Sequence, residues 1–178
     1  MVRVAVYFDT SGSMNRKVDG IPRIDLARQI WKDVLHRFDG YYSKISTINS
    51  MGKSEVLGKM RIRSIEALER IEIPDPRGGT YLWGFLVEEA EKLVKKDNEW
   101  IFLLVSDGGD GESQGELHGS KGLEPCARKI KQLGLDVEFH IIGLGLSEKV
   151  AKSFHKLSGE SGGYFENISS TSEVQSTV

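Results

Sequence analysis

Three apolar runs of strand length constrain this chain more than anything else in it. Residues 2–8, 100–105 and 137–142 are built from β-branched, aromatic and aliphatic side chains and alternate only weakly with polar ones. A strand wet on one face alternates clearly, so runs like these must be covered on both faces, as in a parallel sheet. Around them, apolar residues recur at helical spacing. Ile24, Ala27, Ile30, Trp31, Val34, Leu35 and Phe38 form one stripe between Pro22, at a helix start, and Gly40. Leu82, Phe85, Leu86, Ala90, Leu93 and Val94 form another over 81–96, with Thr80 placed as its cap and Glu88, Glu91, Lys92 and Lys95 on its solvated face.

Shorter helices are expected over 62–71, around Ile65 and Leu68 and ended by Pro74 and Pro76; over 125–133, ended by Gly134; and over 148–157, capped by Ser147. Weaker strands are expected at 44–49, 56–57 and 163–165, a loop over 9–20, and a terminal helix from Ser172. Strands thus alternate with crossover helices along most of the chain. The expectation is a single domain, residues 1–178: a doubly wound α/β fold with a mostly parallel sheet of about six strands and helices on both faces.

Composition removes several classes of function. With 24 basic against 26 acidic residues and no basic block, nucleic acid is not the expected partner. No stretch approaches the roughly 20 apolar residues of a membrane span. The N-terminal run reaches Asp9 too soon for a signal peptide. Cys126 is the single cysteine, so an internal disulfide is impossible, which suits a reducing compartment. A cytoplasmic protein is expected.

Two of the strong strands end on a carboxylate: Phe8-Asp9-Thr10-Ser11-Gly12-Ser13 and Val105-Ser106-Asp107-Gly108. Open α/β sheets bind ligands outside the carboxyl ends of their strands, at the switch point of strand order, so both carboxylates belong to one edge. Asp9, Ser11 and Ser13 alternate, which in extended geometry puts them on one side. The stretch Arg77-Gly78-Gly79-Thr80 supplies a third hydroxyl. Carboxylate, three hydroxyls and carboxylate are hard oxygen donors. They suit Mg²⁺, with Mn²⁺ or Ca²⁺ as alternatives, and do not suit Zn²⁺ or Cu²⁺. Neutral hydroxyls leave the ion much of its charge, which can then meet an acidic group from outside.

These residues resemble the von Willebrand factor A domain family. Asp9-Thr10-Ser11-Gly12-Ser13, then Gly79-Thr80, then Ser106-Asp107-Gly108 looks like its metal-ion-dependent adhesion site, pattern D-x-S-x-S, T, D, matched at all five positions and in order. Residues 137–145 look like the family's fifth strand and glycine turn. The resemblance implies direct coordination by Ser11 and Ser13, and by Thr80 directly or through water depending on state. It implies that Asp9 and Asp107 act largely through water and by orienting the hydroxyls. It also implies that the short third strand runs antiparallel at one edge.

The function expected is therefore a metal-dependent protein–protein interaction module, an intracellular adaptor or scaffold whose partner offers a Glu or Asp carboxylate. Oligomeric state is left open. The alternative is an Mg²⁺-dependent hydrolase or phosphatase using the same cation. It lacks support, because the haloacid-dehalogenase pattern needs a second Asp where Ser11 stands, no P-loop occurs, and no base is obviously placed. Asp110, Glu112 and Glu116 could hold a second cation, although a solvated loop is the plainer reading. Arg77 could steer an acidic ligand or be an ordinary surface arginine. His140 is expected as a satisfied core histidine, Trp83 as packing, and Cys126 as a small core residue.

Overall fold

Residues 3–9 place apolar side chains on alternate faces of an extended strand, and the fold is built outward from it. The computed structural model describes residues 3–34, 42–59, 68–93, 99–170 and 172. In it, β1 (Arg3–Asp9) lies between β4 (Tyr42–Ile48) and β6 (Glu99–Ser106), parallel to both. Beyond β4 comes β5 (Val56–Lys59), antiparallel at the edge. Beyond β6 come β7 (Asp136–Leu144) and β8 (Phe165–Ile168), both parallel. The six-stranded order is β5-β4-β1-β6-β7-β8. The expected doubly wound sheet with one antiparallel edge strand is what forms.

Both faces are covered, as the weak alternation requires. Val4, Val6 and Phe8 pack under α1 (Arg23–Val34), among Ile24, Ala27, Ile30 and Trp31. The Phe8 and Trp31 rings meet edge to face at 5.5 Å. Ala5 and Tyr7 face the opposite layer, formed by α2 (Leu82–Leu93), α3 (Leu123–Gln132) and α4 (Glu148–Glu160). There Tyr7 meets Phe85 at 5.4 Å and Phe102 at 5.2 Å, both edge to face. Burying each large apolar side chain contributes about 1.5–3 kcal/mol, so β1 is anchored from two sides.

The chain runs from β1 outward to β4 and β5, then crosses to β6 and continues outward to β7 and β8. Strand order therefore reverses between β1 and β6, and the crevice of the doubly wound fold opens there. The register Phe8↔Val105 brings the residues that follow, Asp9 and Ser106, side by side.

Some expectations are corrected. The loop over 9–20 contains a 3₁₀ turn (Gly12–Asn15) and one arm of a small hairpin, β2 (Lys17–Val18) with β3 (Ile21–Pro22). Strands of two residues carry no periodicity to read. Pro22 ends β3, and Arg23 opens α1. His140 is partly exposed, with Nε2 3.3 Å from Glu138 Oε2, and is not a core histidine. Trp83 is packing: it is buried, stacks edge to face on Phe154 at 5.6 Å and donates Nε1–H to the Gly119 carbonyl. Cys126 is a buried core thiol, and burial pushes its pKa upward. Leu35, Phe38, Gly40, Ile65, Val94 and Lys95 fall outside the described residues, as do most of the helix over 62–71 and nearly all of the one from Ser172. Among the described residues no helix is long and apolar enough to cross a membrane.

Candidate metal centre

Three loops meet at the carboxyl end of β1. The first carries Asp9 to Ser13, and its backbone is fixed from two sides. Thr10 N–H and its hydroxyl both donate to the Ile48 carbonyl at the end of β4. Gly12 N–H donates to the Gly78 carbonyl at 3.0 Å, and Arg77 N–H to the Thr10 carbonyl at 2.9 Å. The contact is close: a Cβ on Gly12 would stand 3.2 Å from that Gly78 oxygen. The glycine in D-x-S-G-S is therefore a close-approach residue, where a side chain would press on the second loop as it crosses the first.

The second loop, 77–80, is shaped from below by β4's exit. Gly79 N–H donates to Ser50 Oγ at 2.7 Å, and Gly78 takes φ +73° where a Cβ would strike Ser50 and Asn49. This delivers Thr80, which is 7% exposed. Thr80 was expected to cap the long helix, and the structure assigns that work elsewhere. Asp110 Oδ2 accepts the Trp83 N–H at 2.8 Å and Ser113 Oγ accepts the Gly84 N–H at 3.0 Å. The third loop thus caps α2 across space, and the Thr80 hydroxyl is not consumed by the helix end.

The third loop leaves β6 at Ser106. Ser106 Oγ donates to Asp9 Oδ2 at 2.8 Å and accepts the Gly108 N–H at 2.9 Å. Asp9 Oδ1 accepts the Ser11 N–H at 2.9 Å. Asp9 is fully buried, and both its oxygens hold the loops in place. Burial pushes its carboxyl up to about 7, and the neighbouring Asp107 charge adds to the shift, against the hydrogen bonds from Ser11 and Ser106. Asp107 Oδ1 accepts the Gly109 N–H at 3.2 Å, and its Oδ2 takes Arg23 Nη1 at 2.8 Å.

The hydroxyls face one small space. Ser11 Oγ and Ser13 Oγ lie 3.0 Å apart. A Cβ built on Gly109 would stand 3.3 Å from Asp107 Oδ1 and 4.0 Å from both Ser13 Oγ and Thr80 Oγ1. One oxygen from each loop therefore surrounds a volume that any side chain at 109 would fill. Four of the five expected residues meet here directly or through the Ser11–Ser13 contact, and Asp9 stands behind them. Hard oxygens around such a space fit a small divalent cation. Among the described residues no three His, Cys, Asp or Glu side chains gather as an ion-holding group, so any ion here would depend on the hydroxyls.

The other acidic residues of the third loop point in separate directions. Asp110 also accepts from Ser113 N–H and Oγ–H and from Glu112 N–H. Glu112 Oε2 accepts the Met51 N–H, and Glu116 pairs with Arg128 and Lys129. Among the described residues they do not gather as an ion-holding group. Arg77 pairs with Glu55 at an exposed site. The residue that sequence reasoning missed is Arg23. Its signal was a cation at the first position of a helix, where the dipole disfavours it.

No protein-family model matches the sequence, and no curated protein matches it. Solved structures do. The ArnB paralog VWA2 from Sulfolobus acidocaldarius superposes with a TM-score of 0.65 at 19% identity, over 99% of this chain and 43% of that one. The pilus adhesin SpaC from Lactobacillus rhamnosus GG gives 0.72 at 16%, over 99% and 29%. The SpRpn10 VWA domain gives 0.63 at 16%, over 99% and 94%. The chain thus spans less than half of the first two proteins and nearly all of the third. At these identities the likeness establishes the fold, which is that of a von Willebrand factor A domain.

Proposed function

We propose that this chain is a protein-interaction module that binds an acidic side chain of a partner through a divalent cation, Mg²⁺ first, with Mn²⁺ or Ca²⁺ as alternatives. Ser11, Ser13 and Thr80 would hold the ion, with Asp9 and Asp107 behind or beside them. The cation would supply a positive centre at which a Glu or Asp carboxylate can complete the coordination. The observation that carries this reading is the space beside Gly109, faced by one oxygen from each of three loops. Asp9 fixes the Ser11 backbone and, through Ser106, the start of the third loop. Hydroxyl donors leave the centre less neutralised than an all-carboxylate site would be.

The likeness in fold to a pilus adhesin and to the SpRpn10 VWA domain is consistent with a role in protein interaction. A binder is favoured over a hydrolase because Ser11, two residues after Asp9, carries a hydroxyl bonded to Ser13 and cannot serve as a general acid. We further propose that it works inside the cell, as an adaptor or scaffold.

Affinity capture from cell extract tests the reading with wild type, Thr80→Ala, and wild type in EDTA. A partner retained by wild type and lost in both other samples is expected. Partners indifferent to the chelator and to Thr80, or no partner at all, contradict it.

A further inference from the structure

Arg23 sits where a helix dipole disfavours a cation, so its place needs another reason. Its contacts supply one. Nη1 donates to Asp107 Oδ2 at 2.8 Å and Nη2 to the Gly145 carbonyl at 3.0 Å. The two side chains are 13% and 3% exposed, so the pair is sheltered from the screening that weakens surface charges. The turn after β7 leaves room for it. Gly145 takes φ +63°, and a Cβ there would stand 3.0 Å from Arg23 Nη2 and 3.0 Å from Val18 Cγ2. The guanidinium holds one oxygen of Asp107, while the other oxygen borders the Gly109 space.

We propose that Arg23 is a built-in competitor cation of this centre: it weakens the hold on a bare divalent ion and keeps the loaded centre positive enough to attract a carboxylate. The inference rests on the ion-mediated reading above and says how that site is tuned. Counting Asp9 and Asp107 as carboxylates, as they would be around a bound ion, Arg23 changes the protein's own formal charge at the centre from −2 to −1. A divalent ion then takes it to +1, where without Arg23 it would reach 0. The same positive charge that opposes the ion's entry attracts the acid that follows. Ion and acid therefore strengthen one another's binding, reciprocally.

The test uses the full chain with Arg23→Gln, Arg23→Met and Arg23→Lys, each checked for folding by circular dichroism. Free Mn²⁺ is counted by electron paramagnetic resonance, and acetate is titrated against the Mn²⁺-loaded protein by water-proton relaxation. The Gln variant should bind Mn²⁺ roughly tenfold more tightly and acetate roughly tenfold more weakly, while Lys stays within about threefold of wild type on both. The Met variant, which keeps the aliphatic stem, stands in should Gln not fold.

Equal or weaker Mn²⁺ binding in a folded neutral variant, or unchanged acetate binding, overturns the inference and leaves the ion-mediated reading standing. Uptake of Mn²⁺ by neither wild type nor variant overturns both. Uptake by the neutral variant alone, abolished by adding Asp107→Asn, supports the inference in its strongest form, with Arg23 displacing the ion outright.

Discussion

Among the described residues, two buried carboxylates have a cation beside them, and they are finished differently. Glu89, on α2, is 2% exposed, and its two oxygens go to Lys44 and Lys92. The Tyr7 hydroxyl lies in the same layer with no hydrogen-bond partner among the described residues, and burial, then the Glu89 charge, pushes its pKa well above the usual phenol value. Asp107 gives only Oδ2 to Arg23, and Oδ1 accepts a single backbone N–H at 3.2 Å beside two hydroxyls. The Glu89 centre is closed: each acidic oxygen already has its ammonium. The Asp107 centre is left open on one side. A buried ion pair by itself says little about function, because the desolvation cost and the Coulomb gain are comparable. An ion pair that uses one oxygen and leaves the other facing hydroxyls is a different object.

The comparison breaks most visibly at Lys44. Lys44→Met leaves Glu89 with Lys92, whose side chain is 62% exposed. Removing one partner of such a pair should cost about 3 kcal/mol, or roughly 6–12 °C in Tm. Urea unfolding measures the loss, and any stabilisation by Mg²⁺ should be unchanged in the variant. If Mg²⁺ stabilisation vanished along with Glu89's partner, the two centres would not be independent.

Asp110→Ala comes next in size. It removes the acceptor of Trp83 N–H and of the Ser113 donors, and should cost about 1–2 kcal/mol as a lost helix cap. Ion stoichiometry, read by titration with Mn²⁺, should be one per chain in both wild type and variant. A second ion that disappears with Asp110 would reopen the third loop as a metal site.

A further effect is a pH dependence centred on the open site. Asp9 has its folded pKa raised to about 7, so its contribution is fully present below the usual carboxylate range and is lost as pH rises through about 7. In EDTA, thermal melts should therefore fall by several degrees between pH 5 and pH 8. Asp9→Asn should flatten that difference, and Mg²⁺ should shrink it. An identical slope in wild type and Asp9→Asn would show that Asp9 is not the group responsible.

The fold was largely legible because β1, β6 and β7 carry their burial in composition, and α1 and α2 carry theirs in spacing. The oxygen-bearing residues were legible because strand ends and a doubly wound order leave few places for Asp9 and Asp107 to go. What could not be read depends on contacts across long separations. Asp110 caps a helix 27 positions back, and Arg23 reaches Asp107 across 84 positions. Neither pairing leaves a periodic trace. Thr80, sitting just before a helix, looked like its cap for good local reasons, and only the packing of the third loop over α2 reassigns that role. Glu89 gave no sign of burial either, since Glu88 beside it is solvated and the two differ only in which way a turn of helix faces.

The central claim is that the space beside Gly109 exists to be filled by an ion. Gly109 lies outside the left-handed region, so Gly109→Ala tests the space with little backbone strain. The direct measurement is Tm with EDTA and with Mg²⁺, for wild type and Gly109→Ala. At Mg²⁺ about 100-fold above its Kd, wild type should gain about 2.7 kcal/mol, or roughly 5–11 °C. In EDTA the variant should melt within a few degrees of wild type, on the order of 1 kcal/mol, and should gain nothing from Mg²⁺. A variant stabilised by Mg²⁺ as much as wild type, or a wild type indifferent to the ion, would contradict the account.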